Sequence, residues 1–557
     1  CSVSRIFGCN DQNGSPKGHV KVHVYGTQHK NKDNIADKYA KFDKISDYTT
    51  SSYSGLTTLA TAVDADVSGY TDVLTDGNAT TNEKETALSN MIATIAAKKY
   101  DVQAVYGGGN LAAYEPTDAA SDNETTRNAA RTEVIIDGCD LTSINQVYGS
   151  GNAASSSATY VRVNGTYEIH ESFGGGNGKD PYQLSNGKWY QNPGANVGYH
   201  NFTNYVTTDV DAVNDGDGSS GNPYVAHNNA NASNPESRQA YYGYGSGVAT
   251  TEVVGGRIHY IYGGSNEKGN IRSMAMSTYQ ASGACPLEFD NTYGAGKNAD
   301  IDGKVVVTMD CVDNVDKIFG GATNANVYSD VTLNVTNGTF GQVFGGNDTG
   351  GNLCGSITVN IQEQGCKPIH IGELYGGGYL AGYSIYGYSE VNAPRTKADF
   401  ETARTTALSG VDESDEAAVT TALLNAGLYG YPKKNPRINV ISATSIGTVY
   451  GGGYQAVVIG SPHVNVNMEN GMVIQKYVTG DFAEVGTHTD AQGNGYKVES
   501  IDASGNAILA IGTIGSMGNF NMEPVPIKFV YTMNMFMGRV EIYPVFAVLS
   551  SIFNRKY

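Results

Sequence analysis

The sequence predicts an all-β chain wound as a parallel β-helix, a β-solenoid of about 25 residues and three short strands per coil. Three observations carry this expectation. An aromatic-glycine phrase recurs along almost the whole chain, from Val105-Tyr106-Gly107-Gly108-Gly109-Asn110 through Ile318-Phe319-Gly320-Gly321 to Val449-Tyr450-Gly451-Gly452-Gly453. Where insertions are absent its spacing is regular, with Tyr293, Phe319, Phe344 and Tyr375 separated by 26, 25 and 31 residues. Each copy is preceded by an apolar–polar alternation such as Val331-Thr332-Leu333-Asn334-Val335, the pattern of a half-buried strand. A repeat of this kind cannot bury its apolar face alone, so the units must stack.

The elements of one unit follow in order from Asn324 to Gly346. Asn324-Ala325-Asn326-Val327-Tyr328 is short and extended, and Val331–Val335 is the alternating strand. Asn337-Gly338 is a turn dipeptide, and Gln342-Val343-Phe344 is a third short strand closed by Gly345-Gly346. Three strands in about 25 residues fit one solenoid coil; a propeller blade needs four strands in about 40–50 residues. The glycines supply either φ > 0 or close backbone approach at the corner. The aromatic before them points inward or stacks on its neighbour, and the following Asn is placed to ladder through its amide. At about 4.8 Å per coil, ten to thirteen coils give a rod of roughly 50–60 Å.

The solenoid is expected over residues 1–522, with three interruptions. Residues 30–104 read as helical, with Ile35, Tyr39, Phe42 and Ile45 on one face and Thr80-x-x-Glu83 as a capping box before Leu88, Met91, Ile92 and Ile95. Residues 384–436 read the same way, from Phe400, Ala403, Ala407 and Leu408 to a second helix capped at Ser414. Residues 178–240 form an aromatic, Asn- and Gly-rich loop. Solenoid insertions map to loops on one face, often the binding face. Residues 523–557 lose glycine and alternate at Ile527, Phe529, Tyr531, Met533 and Met535, which suits a β-type cap or the start of another segment.

Composition narrows the partners. The 557 residues carry a net charge of −19, 70 glycines and 38 tyrosines, with only 16% charged residues. A negative field of this size repels nucleic acid and anionic lipid, so neither is expected. Gly, Asn, Thr, Ser and Tyr on the surface suit an extracellular or cell-surface β-protein. No apolar stretch suits a transmembrane span; Lys528, Arg539 and Glu541 break the last one. Cys1 stands where a lipid anchor would attach, yet Ser4-Arg5-Ile6-Phe7-Gly8 is already repeat where a flexible spacer belongs, so no anchor is expected. The seven cysteines contain no CxxC pair and give no case for zinc. They read as small buried hydrophobes, with disulfides open to an oxidising compartment.

Two sets of residues are candidate sites. Trp189, Tyr190, Tyr182 and Tyr199 stand in the aromatic loop, where rings stack on sugar C–H faces and amides bond hydroxyls. Asp209, Asp211, Asp215 and Asp217 alternate like a calcium loop, but the spacing departs from the EF-hand pattern. Calcium is therefore the single cofactor considered, against a solvated acidic turn. No catalytic residues are named. Asp300, Asp302, Asp310, Asp313 and Asp316 form the densest acidic set within the regular coils, and His19 and His23 are read as solvent-facing.

The phrases Val105–Asn110 and Val449–Gly453, with Phe7-Gly8-Cys9-Asn10-Asp11-Gln12-Asn13-Gly14, resemble the long glycine-rich repeat proteins of the surfaces of gut and oral Gram-negative anaerobes, the Bacteroidota. The resemblance covers most of residues 1–520. It implies an adhesin-like surface protein whose partners are other surface proteins, copies of itself or glycans. The expected function is structural or adhesive, with end-to-end assembly into a filament. A carbohydrate-binding or polysaccharide-degrading β-helix is the alternative.

Overall fold

The computed structural model describes residues 3–27, 55–178, 244–282, 285–364 and 367–466, apart from isolated positions, and short pieces of 182–227 and 476–510. Two ten-stranded parallel sheets run through it. Sheet A holds Val3–Phe7, Val102–Tyr106, Ser143–Tyr148, Glu168–Phe173, Gly256–Tyr262, Leu287–Tyr293, Asn314–Phe319, Gly338–Phe344, Ile369–Tyr375 and Ser445–Tyr450. Sheet B holds Val20–Val24, Thr132–Ile136, Thr159–Val163, Val248–Val253, Met274–Gln280, Lys304–Asp310, Val331–Val335, Ile357–Gln362, Arg437–Ser442 and His463–Val466. One strand from each sheet makes a coil, so among the described residues the coils number ten. The third expected strand shrinks to single bridges between coils, Tyr114–Ser156–Val197–Ile271 and Ile301–Val327–Leu353, and to the two-residue pair Tyr383–Ser384 with Val458–Ile459. The fold is thus a parallel β-helix whose third side is a narrow seam.

The two sheets bury their residues differently. Sheet B alternates in most of its strands, as in Val331–Val335, where Val331, Leu333 and Val335 are buried and Thr332 and Asn334 face outward. Sheet A breaks its alternation three residues before each aromatic. Ile258 pairs with Phe289 and Tyr260 with Asn291, while His259 and Asp290 between them are skipped. The kink leaves two consecutive buried residues at the strand end, Ile261 and Tyr262. The second of these builds a column of ten rings, Phe7, Tyr106, Tyr148, Phe173, Tyr262, Tyr293, Phe319, Phe344, Tyr375 and Tyr450. Successive centroids are 4.6–5.0 Å apart with planes within 11° of parallel. Offset stacking adds about 0.5–1.5 kcal/mol per pair beyond the burial of the rings.

Close approach, and not positive φ, explains the corner glycines. A Cβ on Gly263 would stand 2.1 Å from the carbonyl oxygen of Gly294 in the next coil. The Asn after them ladders as the sequence suggests, over the first five coils. Asn266 donates to Asn177 (2.9 Å), Asn177 to Asn152 (2.8 Å), Asn152 to Asn110 (2.9 Å) and Asn110 to Asp11 (2.7 Å). Beyond them the same position is Lys297, Thr323 and Asp348, and the amide ladder stops.

Cysteines depart from the simple buried reading. Cys139 and Cys285 form a disulfide that spans 146 residues, and Cys311 is also disulfide-bonded. The bridge joins the corner of coil 2 to that of coil 5 and lies against Gly165, whose Cβ would fall 2.4 Å from the Cys285 sulfur. Cys9 and Cys354 are free thiols, and burial pushes the Cys9 thiol up to about 12. Closing so long a loop restricts the unfolded chain, so replacing both Cys139 and Cys285 by Ser is expected to lower stability by about 2–5 kcal/mol. A urea-unfolding midpoint unchanged by the double replacement would contradict this.

The insertions take shape where they are described. Helices Ser68–Thr75 and Thr81–Ala97 pack Leu74, Leu88, Met91 and Ile95 into a small core of their own with Leu56 and Ala60. The capping box is present: Thr80 N–H donates to Glu83 and Glu83 N–H to Thr80 Oγ1. Sheet A resumes at Val102, inside the interval 30–104. Ile35, Tyr39, Phe42 and Ile45 lie outside the described residues. In 384–436, helix Lys397–Ala407 starts with a Thr396–Asp399 capping box and buries Phe400. Helix Glu416–Asn425 is capped by Asp415, whose carboxylate accepts from Ala417 and Ala418 N–H; Ser414, the expected cap, instead bonds Asp412. Among the described residues no helix is long and apolar enough to cross a membrane.

A second compact unit comprises Asn439–Ala443 and residues 465–557. Its described part beyond 466 is a four-stranded antiparallel sheet in the order Lys476–Val478, Asn506–Ala510, Gly495–Ile501, Gly486–Thr489. Among the described residues the last coil strand is His463–Val466, and the strands described beyond it pair antiparallel, as a connection as short as 490–494 requires. Residues 523–557 lie outside the described residues.

Candidate functional site on the outer face of sheet A

The candidate aromatics separate. Tyr182 and Gln183 pair with Tyr190 and Trp189 as a two-residue antiparallel ladder, and Trp189 is half-buried. Tyr199 is buried at 2% exposure, and its hydroxyl donates to Asp302 at 2.7 Å. It is a packing residue and has no ring face for a sugar. Asp209, Asp211 and Asp215 lie outside the described residues; Asp217 is exposed and accepts from Ser219 N–H at 2.9 Å, which is turn capping.

Most of the acidic set of coils 6 and 7 is spent on the frame. Asp300 accepts from Asn326, Asp310 from Gln280 and Asn337, and Asp313 pairs with Lys367. His19 is exposed as expected, but His23 is half-buried, hydrogen-bonded to Asp137 and stacked on Tyr25 at 3.7 Å. Burial would raise the Asp137 carboxyl; the hydrogen bonds from His23 and Asn164 outweigh it and hold it low.

A different cluster gathers on the outer face of sheet A in coils 4–6, where the chain leaves at Phe173 and re-enters sheet B at Val248. His259 of coil 5 stands at its centre. Its Nε2 lies 2.6 Å from Glu168 of coil 4, and its Nδ1 lies 2.7 Å from Asp290 of coil 6. Arg257 reaches Glu288 at 3.1 Å and Asp290 at 3.4 Å. Beside them Lys297 pairs with Glu171 at 2.6 Å, and Gln146 donates to the same carboxylate at 2.8 Å. His170 lies one coil from His259, 5.9 Å between ring centroids, with Tyr260 edge-on at 5.7 Å and Tyr100 at 6.1 Å. Although these side chains sit on the outside of a sheet, those of Glu168 and Glu171 are only 6% and 7% exposed.

The electrostatics follow from this packing. Burial would lower His259, but the hydrogen bonds to Asp290 and Glu168 outweigh it and hold the imidazole above its ordinary range. The same bond from His259, against burial, holds the Asp290 carboxyl low. Burial lowers His170, and the nearby His259 and Lys297 cations add to this against Glu171 and Glu168. The patch can therefore present a charged imidazole and a neutral one side by side. Among the described residues no group of three or more His, Cys, Asp or Glu side chains is placed to hold a metal ion.

Reading the repeat as a whole did not single out this cluster; aligning its copies does. Counting back from the stacked aromatic, the third position is His170, His259, Asp290 and Asp316 in coils 4–7, and the fifth is Glu168, Arg257 and Glu288 in coils 4–6. Side chains in one column of neighbouring parallel strands stand about 4.8 Å apart. No protein-family model, curated protein or solved structure matches the chain.

Proposed function

We propose that the chain is an extracellular surface rod with a structural or adhesive role, whose insertions present the variable surface. The supporting observation is the run of ten coils in two unbroken parallel sheets. Such a frame is quasi-one-dimensional and displays loops at fixed intervals along its length. The Cys139–Cys285 disulfide fits an oxidising compartment. Partners are other surface proteins, copies of the chain or glycans. End-to-end stacking into a filament is a heterologous association, which does not close. Sedimentation velocity is expected to show species growing with concentration; a single monomer boundary at the highest concentration would rule the filament out.

A carbohydrate-binding or carbohydrate-cleaving role is the second reading. It is favoured by the convergence of Glu168, Glu171, Glu288 and Asp290 with Arg257, His259 and Lys297 on one outer face of the solenoid. Acid–base cleavage of glycosidic bonds uses carboxylates in this kind of setting. A glycan array and an assay for new reducing ends separate the readings. Under this second reading the wild type binds or cleaves a defined glycan, and Trp189→Ala weakens binding at least tenfold. Silence in both assays leaves the rod as the better account.

A further inference from the structure

The bonding of His259 demands a particular protonation state. A neutral imidazole carries one N–H, so it can donate to one carboxylate and must turn a lone pair toward the other. With Glu168 at 2.6 Å from one nitrogen and Asp290 at 2.7 Å from the other, and both carboxyls ionised, both nitrogens must be donors. Only the imidazolium satisfies this arrangement, and only it ties coil 4 to coil 6 through coil 5. His170 is the reverse case. No hydrogen bond is formed by its ring among the described residues, and it is enclosed by Tyr100, Tyr260 and His259. A proton there would place a second cation beside His259 and near Lys297.

We propose that this cluster is a pH-operated clasp across coils 4–6, closed when His259 is an imidazolium and His170 a neutral imidazole. It does not depend on any glycan activity of the face. Every charged group packed around the pair belongs to the device: Glu168 and Glu171 from coil 4, Arg257 from coil 5, and Glu288, Asp290 and Lys297 from coil 6 and its following turn. The clasp lies on the two paired sheet A strands Glu168–Phe173 and Gly256–Tyr262 and on Leu287–Tyr293 beyond them. It also underlies Tyr100, the end of the helical insertion.

The two histidines act in opposite directions. His259 is raised in the folded chain, so its contribution is complete below the ordinary imidazole value of 6.5 and is lost as pH rises through the folded value. His170 is lowered, so the folded chain favours its neutral form above 6.5 and gives up that advantage as pH falls through the folded value. Asp290, held low, stays ionised throughout the interval between them. The clasp is therefore closed around mildly acidic to neutral pH and opens on either side, by different groups.

The test uses the full chain with ¹³C-labelled histidine. At pH 6.5, where a free imidazole is half titrated, the His259 resonance is expected at its protonated position and His170 at its neutral one; assignment comes from His259→Gln and His170→Gln. Amide exchange over Glu168–Phe173 and Gly256–Tyr262, corrected for intrinsic rates, is expected to accelerate about tenfold between pH 6 and 8.5. In His259→Gln that acceleration is absent, whereas His170→Gln keeps it and loses the acid-side opening. Should either Gln variant fail to fold, the corresponding variant, His259→Asn or His170→Asn, supplies the assignment and the wild-type titration decides. Midpoints that coincide near 6.5, or stand in the reverse order, overturn the proposal.

Discussion

Phe319→Ala is expected to destabilise the solenoid by about 3–5 kcal/mol, the cost of removing a buried aromatic and leaving a cavity. Phe319 has no exposed surface and lies between Tyr293 and Phe344, each 4.9 Å away and nearly parallel. Its loss removes two stacked contacts and the apolar burial together. Tyr450 is the internal control. It ends the column, touches one ring of it, Tyr375 at 4.8 Å, and is 45% exposed. Tyr450→Ala should therefore cost a small fraction of the Phe319→Ala loss. Urea unfolding reads both. Because each coil contacts only its neighbours, amide exchange should loosen first in coils 6–8. Equal losses at the two positions would mean that the rings are surface ornaments and carry no part of the core.

Gly263→Ala is the second large effect, and it comes from a single methyl. The new Cβ would meet the Gly294 carbonyl oxygen at 2.1 Å and the Ser277 hydroxyl at 3.0 Å. The nearer atom is backbone of the next coil, so relief requires the two coils to move apart, and the loss should reach about 1–3 kcal/mol or more. Gly69→Ala gives the opposite sign. It lies in helix Ser68–Thr75 with open space around its Cβ position, so replacement should stabilise that helix by about 0.5–1 kcal/mol. Thermal unfolding of the two variants compares them directly. Gly263→Ala tolerated without loss would show that the corners are looser than the stacking implies.

The frame was legible because it is written many times. An aromatic-glycine corner repeated in successive coils leaves few folds that bury every copy equivalently, and the alternation in Val331–Val335 or Ile357–Gln362 fixes which side faces in. The capping boxes at Thr80 and Thr396 also rest on local chemistry. What escaped reading was set by contacts between coils. Tyr199 looked like a ligand-stacking ring, yet its hydroxyl is claimed by Asp302, 103 residues away. Asp415 displaced Ser414 as a cap through a shift of one residue, beyond the resolution of a sequence pattern. The disulfide joined two cysteines 146 residues apart, a pairing that depends on which corners the winding brings together. The His259 cluster draws on three coils and is invisible in any one of them.

The central claim is that successive repeats wind as single coils in register, so distance along the rod counts coils. Sheet B provides a ruler in the outward column of Lys21, Glu133, Tyr160, Thr250, Met276, Val306, Thr332 and Thr358, linked partner to partner through coils 1–8. With labels carried on non-canonical residues, so that none of the seven native cysteines is touched, spin labels are placed at Lys21 and, in turn, at Val306, Thr332 and Thr358. Double electron–electron resonance is expected to give separations of about 24, 29 and 34 Å, rising by one coil spacing of about 4.8 Å each time. Separations that do not rise in order by that step, or that spread without a defined maximum, would contradict a continuous winding and with it the account of every column described above.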